Sequence, residues 1–220
     1  MAELIRGLEA ERVRANVDEV RAEIAEACAR AGRDPAGVEL LAAVKYVALE
    51  ELPVLREAGI ELVGENRAQD LERKAAAVPG FTWDFIGHLQ SRKVRQVLPH
   101  VRLIHSVATD SVLRGLAKHG DRPAVLVEVN VSGEEGKSGV AVPELGEFLA
   151  RAREVADVQG LMTMPPLAVD PEESRPWFAM LAELAAAHGL ARLSMGTTQD
   201  FAVAVEEGAT IVRVGTRLYR

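Results

Sequence analysis

Residues 38–47 read "VELLAAVKYV". The run from Val38 to Val44 is short, apolar and bounded by polar residues, which predicts a strand buried on both faces rather than a helix. It ends at Lys45, a strongly hydrated cation. Two readings of that lysine stand. It ends an edge strand, with its ammonium reaching water along a flexible stem, or it is an amine held in a pocket for chemistry.

The same kind of run recurs along the chain. Strands are expected at 38–45, 61–65, 82–87, 102–107, 124–131, 158–164, 192–196 and 210–215. Helical patterns lie between and after them, near 49–58, 67–77, 91–98, 110–119, 142–156, 172–188 and 199–207. Gly59, Gly120, Gly189 and Gly208 fall just past helices, and Ser91, Thr109 and Asp170 are expected helix caps. Alternating strands and helices imply parallel strands joined by crossovers. Eight of them predict an α/β fold, a single (β/α)8 TIM-type barrel, over an open doubly wound sheet. No Gly-x-Gly-x-x-Gly follows the first strand, which weakens the dinucleotide-binding version of the open sheet.

Ahead of the barrel, residues 2–31 read as one amphipathic helix. Its apolar stripe is Val13, Val17, Val20, Ile24 and Ala27, and Gly32 and Pro35 end it. The stripe is expected to pack on the barrel rather than form a coiled-coil seam. Residues 1–220 are therefore expected to be one domain, with 1–35 as an extra N-terminal helix.

Composition narrows the function. The chain has 220 residues, 48% hydrophobic and 27% charged, with a net charge of −7 and 4% aromatics. An acidic chain with few stacking rings is a poor nucleic-acid binder. No apolar run reaches membrane-spanning length, and the charged start "MAELIRGLEAERVR" does not read as a signal peptide. The single cysteine, Cys28, excludes an internal disulfide and is expected in the core. A cytoplasmic protein is expected. The five histidines show no metal-ligand spacing, so no metal is expected.

Active sites of such barrels lie at the C-terminal ends of the strands. The expected strand ends read Lys45; "GEN" with Asn66; "FIGHLQSRK"; His105 and Ser106; "VNVSGEEGKSG"; "LMTMPP" with Met164; "SMGTTQD" with Ser194, Gly196 and Thr198; and "VRVGTR" with Gly215 and Thr216. Small and polar residues thus gather where a pocket would be, which favours the pocketed reading of Lys45. Phosphate sites are commonly built by the loops after strands seven and eight, and both loops here offer glycine and threonine donors. By strand alternation Arg213 faces the same way as Ile211 and Gly215, either into the barrel or onto the outer face, where it would pair with a helix carboxylate. An amine, a phosphate site and an inward arginine together suggest pyridoxal 5′-phosphate (PLP).

With these motifs in view, the chain resembles the pyridoxal-phosphate homeostasis protein family from about residue 38 to its end. It is also similar to the N-terminal barrel of alanine racemase. The resemblance rests on "LLAAVKYV", "VGEN", "FIGHLQSRK", "VNVSGEEGKSG", "GLMTMPP", "SMGTTQDF" and "VRVGT" in this order. It implies that Lys45 holds PLP as a Schiff base and that Asn66 and Met164 lie beside the cofactor. It further implies that Ser194, Gly196, Thr198, Gly215 and Thr216 take the phosphate, and that Arg213 faces the pyridine nitrogen. The chain departs from the family pattern at Thr197 and His88.

A racemase needs a base on each face of the substrate carbon. The only tyrosines are Tyr46 and Tyr219, and alternation is expected to turn Tyr46 away from the pocket. A monomeric PLP carrier with little or no turnover is therefore expected, handing PLP to PLP-dependent apo-enzymes. The alternatives are a monomeric PLP-dependent amino-acid racemase, a cofactor-free Schiff-base lyase acting on a sugar phosphate, and a scaffold that binds proteins through the 2–31 helix.

Overall fold

A computed structural model describes residues 3–220. The chain runs α1 (Ala10–Arg30), β1 (Glu39–Ala43), α2 (Leu52–Glu57), β2 (Leu62–Glu65), α3 (Ala68–Ala77), β3 (Thr82–Phe85), α4 (Val94–Val97), β4 (Leu103–Val107), α5 (Asp110–His119) and β5 (Ala124–Asn130). It continues with β6 (Val140–Ala141), α6 (Leu145–Val155), β7 (Asp157–Met162), α7 (Arg175–Ala187), β8 (Arg192–Thr197), α8 (Phe201–Glu206) and β9 (Ile211–Val214). All strand pairings are parallel, and β1 is flanked by β2 and β9. Pairing of β4 with β5 (Ile104 opposite Val125, Val107 opposite Val127) closes the eight-stranded barrel. The open sheet is thereby excluded, and so is an edge position for the strand leading to Lys45. The two-residue β6 was not expected; it pairs with β5 outside the barrel.

Alternation sorts each strand into two layers. Val125, Val127, Val212 and Val214 face outward and pack under the helices. Leu41, Leu103, Leu126, Met162 and Ile211 fill the interior as a separate apolar plug. Above this plug the interior turns polar, with Asp84, His105, Ser194 and Arg213 all buried. At the opposite rim Glu39 accepts from Arg102 (2.8 and 3.0 Å) and from Arg192.

The expected 2–31 helix starts at Ala10, residues 3–9 being non-helical and residue 2 lying outside the described residues. Gly7 adopts a φ of +71°, which no α-helix contains. The backbone N–H groups of Gly7 and Leu8 donate to the Glu51 carboxylate (2.8 and 2.9 Å). Ile5 bridges to Val47, its N–H donating to Tyr46 O at 2.7 Å. The segment before α1 is thus an extended strap across the turn that carries Lys45. The stripe itself packs as expected: Val13, Val17, Val20, Ile24, Ala27 and Cys28 are buried within this one chain. Of the expected caps, Thr109 and Asp170 accept backbone N–H groups, whereas Ser91 lies inside its 3₁₀ turn and Gln90 takes the cap position without a side-chain bond. Gly59, Gly189 and Gly208 are left-handed, whereas Gly120 closes α5 in an extended conformation.

Candidate cofactor site

At the C-terminal ends of the strands opens a cavity of about 440 Å³ lined by Lys45, Asn66, Met164, Thr198, Arg213, Gly215 and Thr216, together with Ile5, Tyr46, Gly87 and Tyr219. A second cavity of about 500 Å³ lies at the other end, near α1. There Arg102 and Glu39 satisfy one another, and Arg21 and Glu61 face solvent, so no free polar groups converge. An amine, a guanidinium and hydroxyl groups converge on the first.

Lys45 is exposed at the cavity mouth. It lies in a turn beyond β1, with Nζ 5.2 Å from the Tyr46 ring centroid. This corrects the expectation for Tyr46. Regular alternation stops at Ala43, the end of β1, and the following turn swings the tyrosine onto the cavity wall. Tyr219 closes the floor beside Ala43, its hydroxyl 3.4 Å from Ala43 O. Burial, with the Glu65 charge adding to it, pushes that hydroxyl well above the usual phenol range.

A buried ion pair fixes two of the lining segments. Lys74 on α3 donates to Val44 O and to Glu65 Oε2, both at 2.6 Å. Glu65 Oε1 accepts from the N–H groups of Asn66 (2.7 Å) and Arg67 (3.2 Å). The residue before Lys45 and the loop carrying Asn66 are thus tied to one pair. Gly87 packs so closely on this loop that a Cβ there would lie 2.0 Å from Asn66 O.

Arg213 forms the inner end of the cavity. Its Nη1 donates to Ser194 O (2.7 Å) and Ser194 Oγ, and its Nη2 to Thr163 O and Met164 Sδ (both 2.9 Å). Among the described residues no carboxylate contacts it. Burial pushes its pKa down to about 10, opposed by the more distant Asp200 and Glu128, so it stays cationic near neutrality. Behind it lies a polar network that strand-end reading did not find. His105 Nδ1 is 2.8 Å from Ser194 Oγ, and His105 Nε2 is 3.1 Å from Asp84 Oδ2. Arg102 donates to both Asp84 oxygens (3.1 and 2.8 Å). The available signal was parity, since Asp84 and His105 both occupy inward positions of their strands.

The loops after β8 and β9 meet, with Gly215 N–H donating to Thr198 Oγ1 at 3.1 Å. Two of the expected contact residues do not line the cavity. Ser194 is fully buried and turned toward His105 and Arg213. Gly196 has a φ of +87°, and a Cβ on it would stand 2.6 Å from Ala204 Cβ, so it shapes the turn between β8 and α8 instead. The ladder to β9 shifts register between Ser194 and Thr197, a bulge centred on this glycine.

The residues present fit PLP. Asn66 Oδ1 is buried without a hydrogen-bond partner, an acceptor left free beside the cavity. It lies in one cavity with an amine, a guanidinium and two loops rich in hydroxyls and backbone donors.

Fold and cavity together define the class: a (β/α)8 barrel of the alanine-racemase type. Alanine racemase from Corynebacterium glutamicum superposes with a TM-score of 0.71 at 16% identity, covering 99% of this chain and 63% of that one. The PLP-bound structure of PipY from Synechococcus elongatus superposes with a TM-score of 0.73 at 32% identity, covering 90% and 100%. No family model matches the chain. The pyridoxal phosphate homeostasis protein of Aquifex aeolicus is 41% identical over 210 residues, 89% of this chain and 92% of the relative. That of Deinococcus radiodurans is 39% identical over 211 residues, 93% and 99%. The chain belongs to the pyridoxal phosphate homeostasis protein family. Among the described residues, no helix is long and apolar enough to cross a membrane.

Proposed function

We propose that this chain holds PLP as a Schiff base on Lys45 and hands it to PLP-dependent apo-enzymes, with little or no turnover of its own. The convergence of Lys45, Asn66, Arg213 and the two threonine loops on one cavity carries this reading. The names of the relatives and the PLP in PipY support it. PLP brings an aldehyde that condenses with an amine, releasing water, and a ring that withdraws electrons when its nitrogen is protonated.

Lys45 supplies the amine. Its exposure at the mouth gives an incoming acceptor access to the carbon–nitrogen bond. The free Asn66 Oδ1 accepts from the ring hydroxyl. Thr198, Gly215 and Thr216 donate to the phosphate, with the Gly215 N–H turning from Thr198 to the anion. Arg213 faces the ring nitrogen as a cation and disfavours a proton there, which weakens the ring as an electron sink.

Tyr46 on the cavity wall is the one observation that favours the racemase alternative. It lies next to Lys45 in the same turn, not across the cavity, and Tyr219 is held as a buried phenol. Neither tyrosine supplies a base opposite the lysine. Chiral analysis after incubation with L-alanine is expected to show no D-alanine.

The central test is absorbance of the purified protein. A yellow band that borohydride removes, fixing one pyridoxyl group on the peptide containing Lys45, is expected. It should be missing in Lys45→Ala. A PLP band unchanged in that variant would end the proposal. A monomer is expected by light scattering, with or without PLP, and a stable dimer would correct that part.

A further inference from the structure

The barrel interior contains an unbroken hydrogen-bond chain from the cofactor cavity to the opposite rim. It runs from Arg213 through Ser194 Oγ and His105 to Asp84, then through Arg102 to Glu39. Every member lies on a strand or immediately before one, and Asp84, His105 and Ser194 are fully or almost fully buried. We propose that Ser194 and His105 are positioning residues that lock the Arg213 guanidinium toward the cavity and keep every carboxylate out of contact with it. This rests on the reading that Arg213 faces the ring nitrogen of PLP.

The direction of the chain follows from donor counting. Arg213 can only donate, so Ser194 Oγ accepts from it, and the Ser194 hydroxyl proton points elsewhere. The His105 tautomer is fixed from its other side: the ionised Asp84 can only accept, so Nε2 bears the proton, and in the neutral ring Nδ1 accepts from the Ser194 hydroxyl. His105 carries its proton on Nε2 and donates it to Asp84, which accepts from both sides. Asp84 is held ionised: burial pushes its pKa up, but hydrogen bonds from His105 and Arg102 outweigh this and keep it below the usual carboxylate range.

An imidazolium would reverse the link to Ser194 and set a second cation behind Arg213. The surroundings oppose it. Burial lowers the pKa of His105, Arg213 and Arg102 lower it further, and Asp84 alone pulls the other way. Glu128 and Asp200, the other charges acting on Arg213, are not hydrogen-bonded to it. A neutral imidazole and a hydroxyl therefore separate Asp84 from the guanidinium. An Asp or Glu directly on Arg213 would cancel its charge. Here no carboxylate among the described residues touches the guanidinium, and it lines the cavity as a cation.

Nitrogen-15 NMR tests this in two stages. In apo protein labelled at histidine, with the His105 signals assigned from His105→Gln, the Nε2–H tautomer is expected from pH 8 to pH 5. An Nδ1–H tautomer, or a titration near the usual histidine value of about 6.5, would overturn the proposal. In protein loaded with ring-labelled PLP, the ring nitrogen is expected to be unprotonated. Ser194→Ala is expected to raise its protonation equilibrium about tenfold, one pKa unit, and to shift the absorbance maximum. PLP that binds with an unchanged ring-nitrogen titration in Ser194→Ala and His105→Gln would overturn the proposal while leaving PLP binding intact. Failure of wild type to take PLP at all would instead remove the functional reading beneath it. Should the variants not fold, the wild-type tautomer still decides.

Discussion

Lys74→Met isolates the pair that holds two sides of the cavity. Methionine keeps the length and apolar stem of lysine but cannot donate. Val44 O then loses its side-chain donor, and Glu65 remains buried with its charge uncompensated. Lys74 is 3% exposed at its side chain and Glu65 is 0%, so solvent does not screen the loss. Breaking a buried pair from one side costs about 3–5 kcal/mol. Glu65 keeps its bonds from the Asn66 and Arg67 N–H groups, which places the expected cost near the lower end, about 3 kcal/mol. For a chain of this size that is a fall in Tm of roughly 6–12 °C. Urea unfolding of apo protein measures it directly, provided the m-value is unchanged. The double variant Lys74→Met/Glu65→Gln removes the stranded charge and is expected to be more stable than Lys74→Met, with a coupling energy of about 1–3 kcal/mol. PLP affinity should fall in both, because Val44 and Asn66 lose their common anchor. A cost below about 1 kcal/mol for the single variant, or a double variant less stable than the single, would show that the pair does not hold these segments.

Thr216→Val removes one hydroxyl from the phosphate loops. PLP binding, followed by absorbance titration, is expected to weaken about tenfold, or about 1.4 kcal/mol, while pyridoxal binding stays constant. Equal losses for both ligands would place the phosphate elsewhere. Gly196→Ala forces a Cβ into the space of Ala204 and a side chain onto a left-handed residue, costing about 1–3 kcal/mol in urea unfolding. A neutral outcome would mean that the β8 turn relaxes freely. His105 also predicts a pH dependence. Its pKa is lower folded than unfolded, so the unfolded chain binds more protons as pH falls below about 6.5, and stability drops at up to about 1.4 kcal/mol per pH unit in that window. That contribution is complete above the unfolded value. His105→Gln should show a flatter decline between pH 6.5 and 5, and an identical slope would mean that His105 titrates normally.

How much of this was legible in the sequence depends on how local each cause is. The barrel was readable because each strand announces itself as a short apolar run and each helix by its own period, and Arg213 takes the inward of the two faces that parity left open. The strap before α1 was not. Its helical period continues through residues 3–9, but the conformation of Gly7 and the Glu51 carboxylate override it, and Glu51 is a contact from a distant part of the chain. Tyr46 was misplaced for a related reason. Alternation holds only while the ladder holds, and the ladder ends at Ala43, three residues before the tyrosine. The polar interior was half legible. His105 and Ser194 were visible as strand-end polar residues, but that one would bond the other depends on the stagger of β4 against β8 across a closed barrel.

Moving Tyr46 onto the cavity wall removes one premise of the carrier reading, which then has to rest on placement. A count of tyrosines near the cofactor no longer separates a holder from a racemase, because two line the cavity. Placement separates them. Tyr46 shares a turn with Lys45, so both groups approach from one side, and Tyr219 is held at Ala43 with its proton retained. In the proposed reading Arg213, which no carboxylate among the described residues touches, works in the same direction by disfavouring a proton on the ring nitrogen. On that reading weak electron withdrawal and one-sided acid–base groups are separate obstacles to turnover, one set by Arg213 on β9 and the other by the turn beyond β1. Restoring turnover would therefore require changing both, and Arg213→Glu alone is expected to alter the cofactor spectrum without producing D-alanine from L-alanine. Measurable racemisation by that single variant would show that the ring nitrogen, and not the missing opposite base, is what keeps this barrel a carrier.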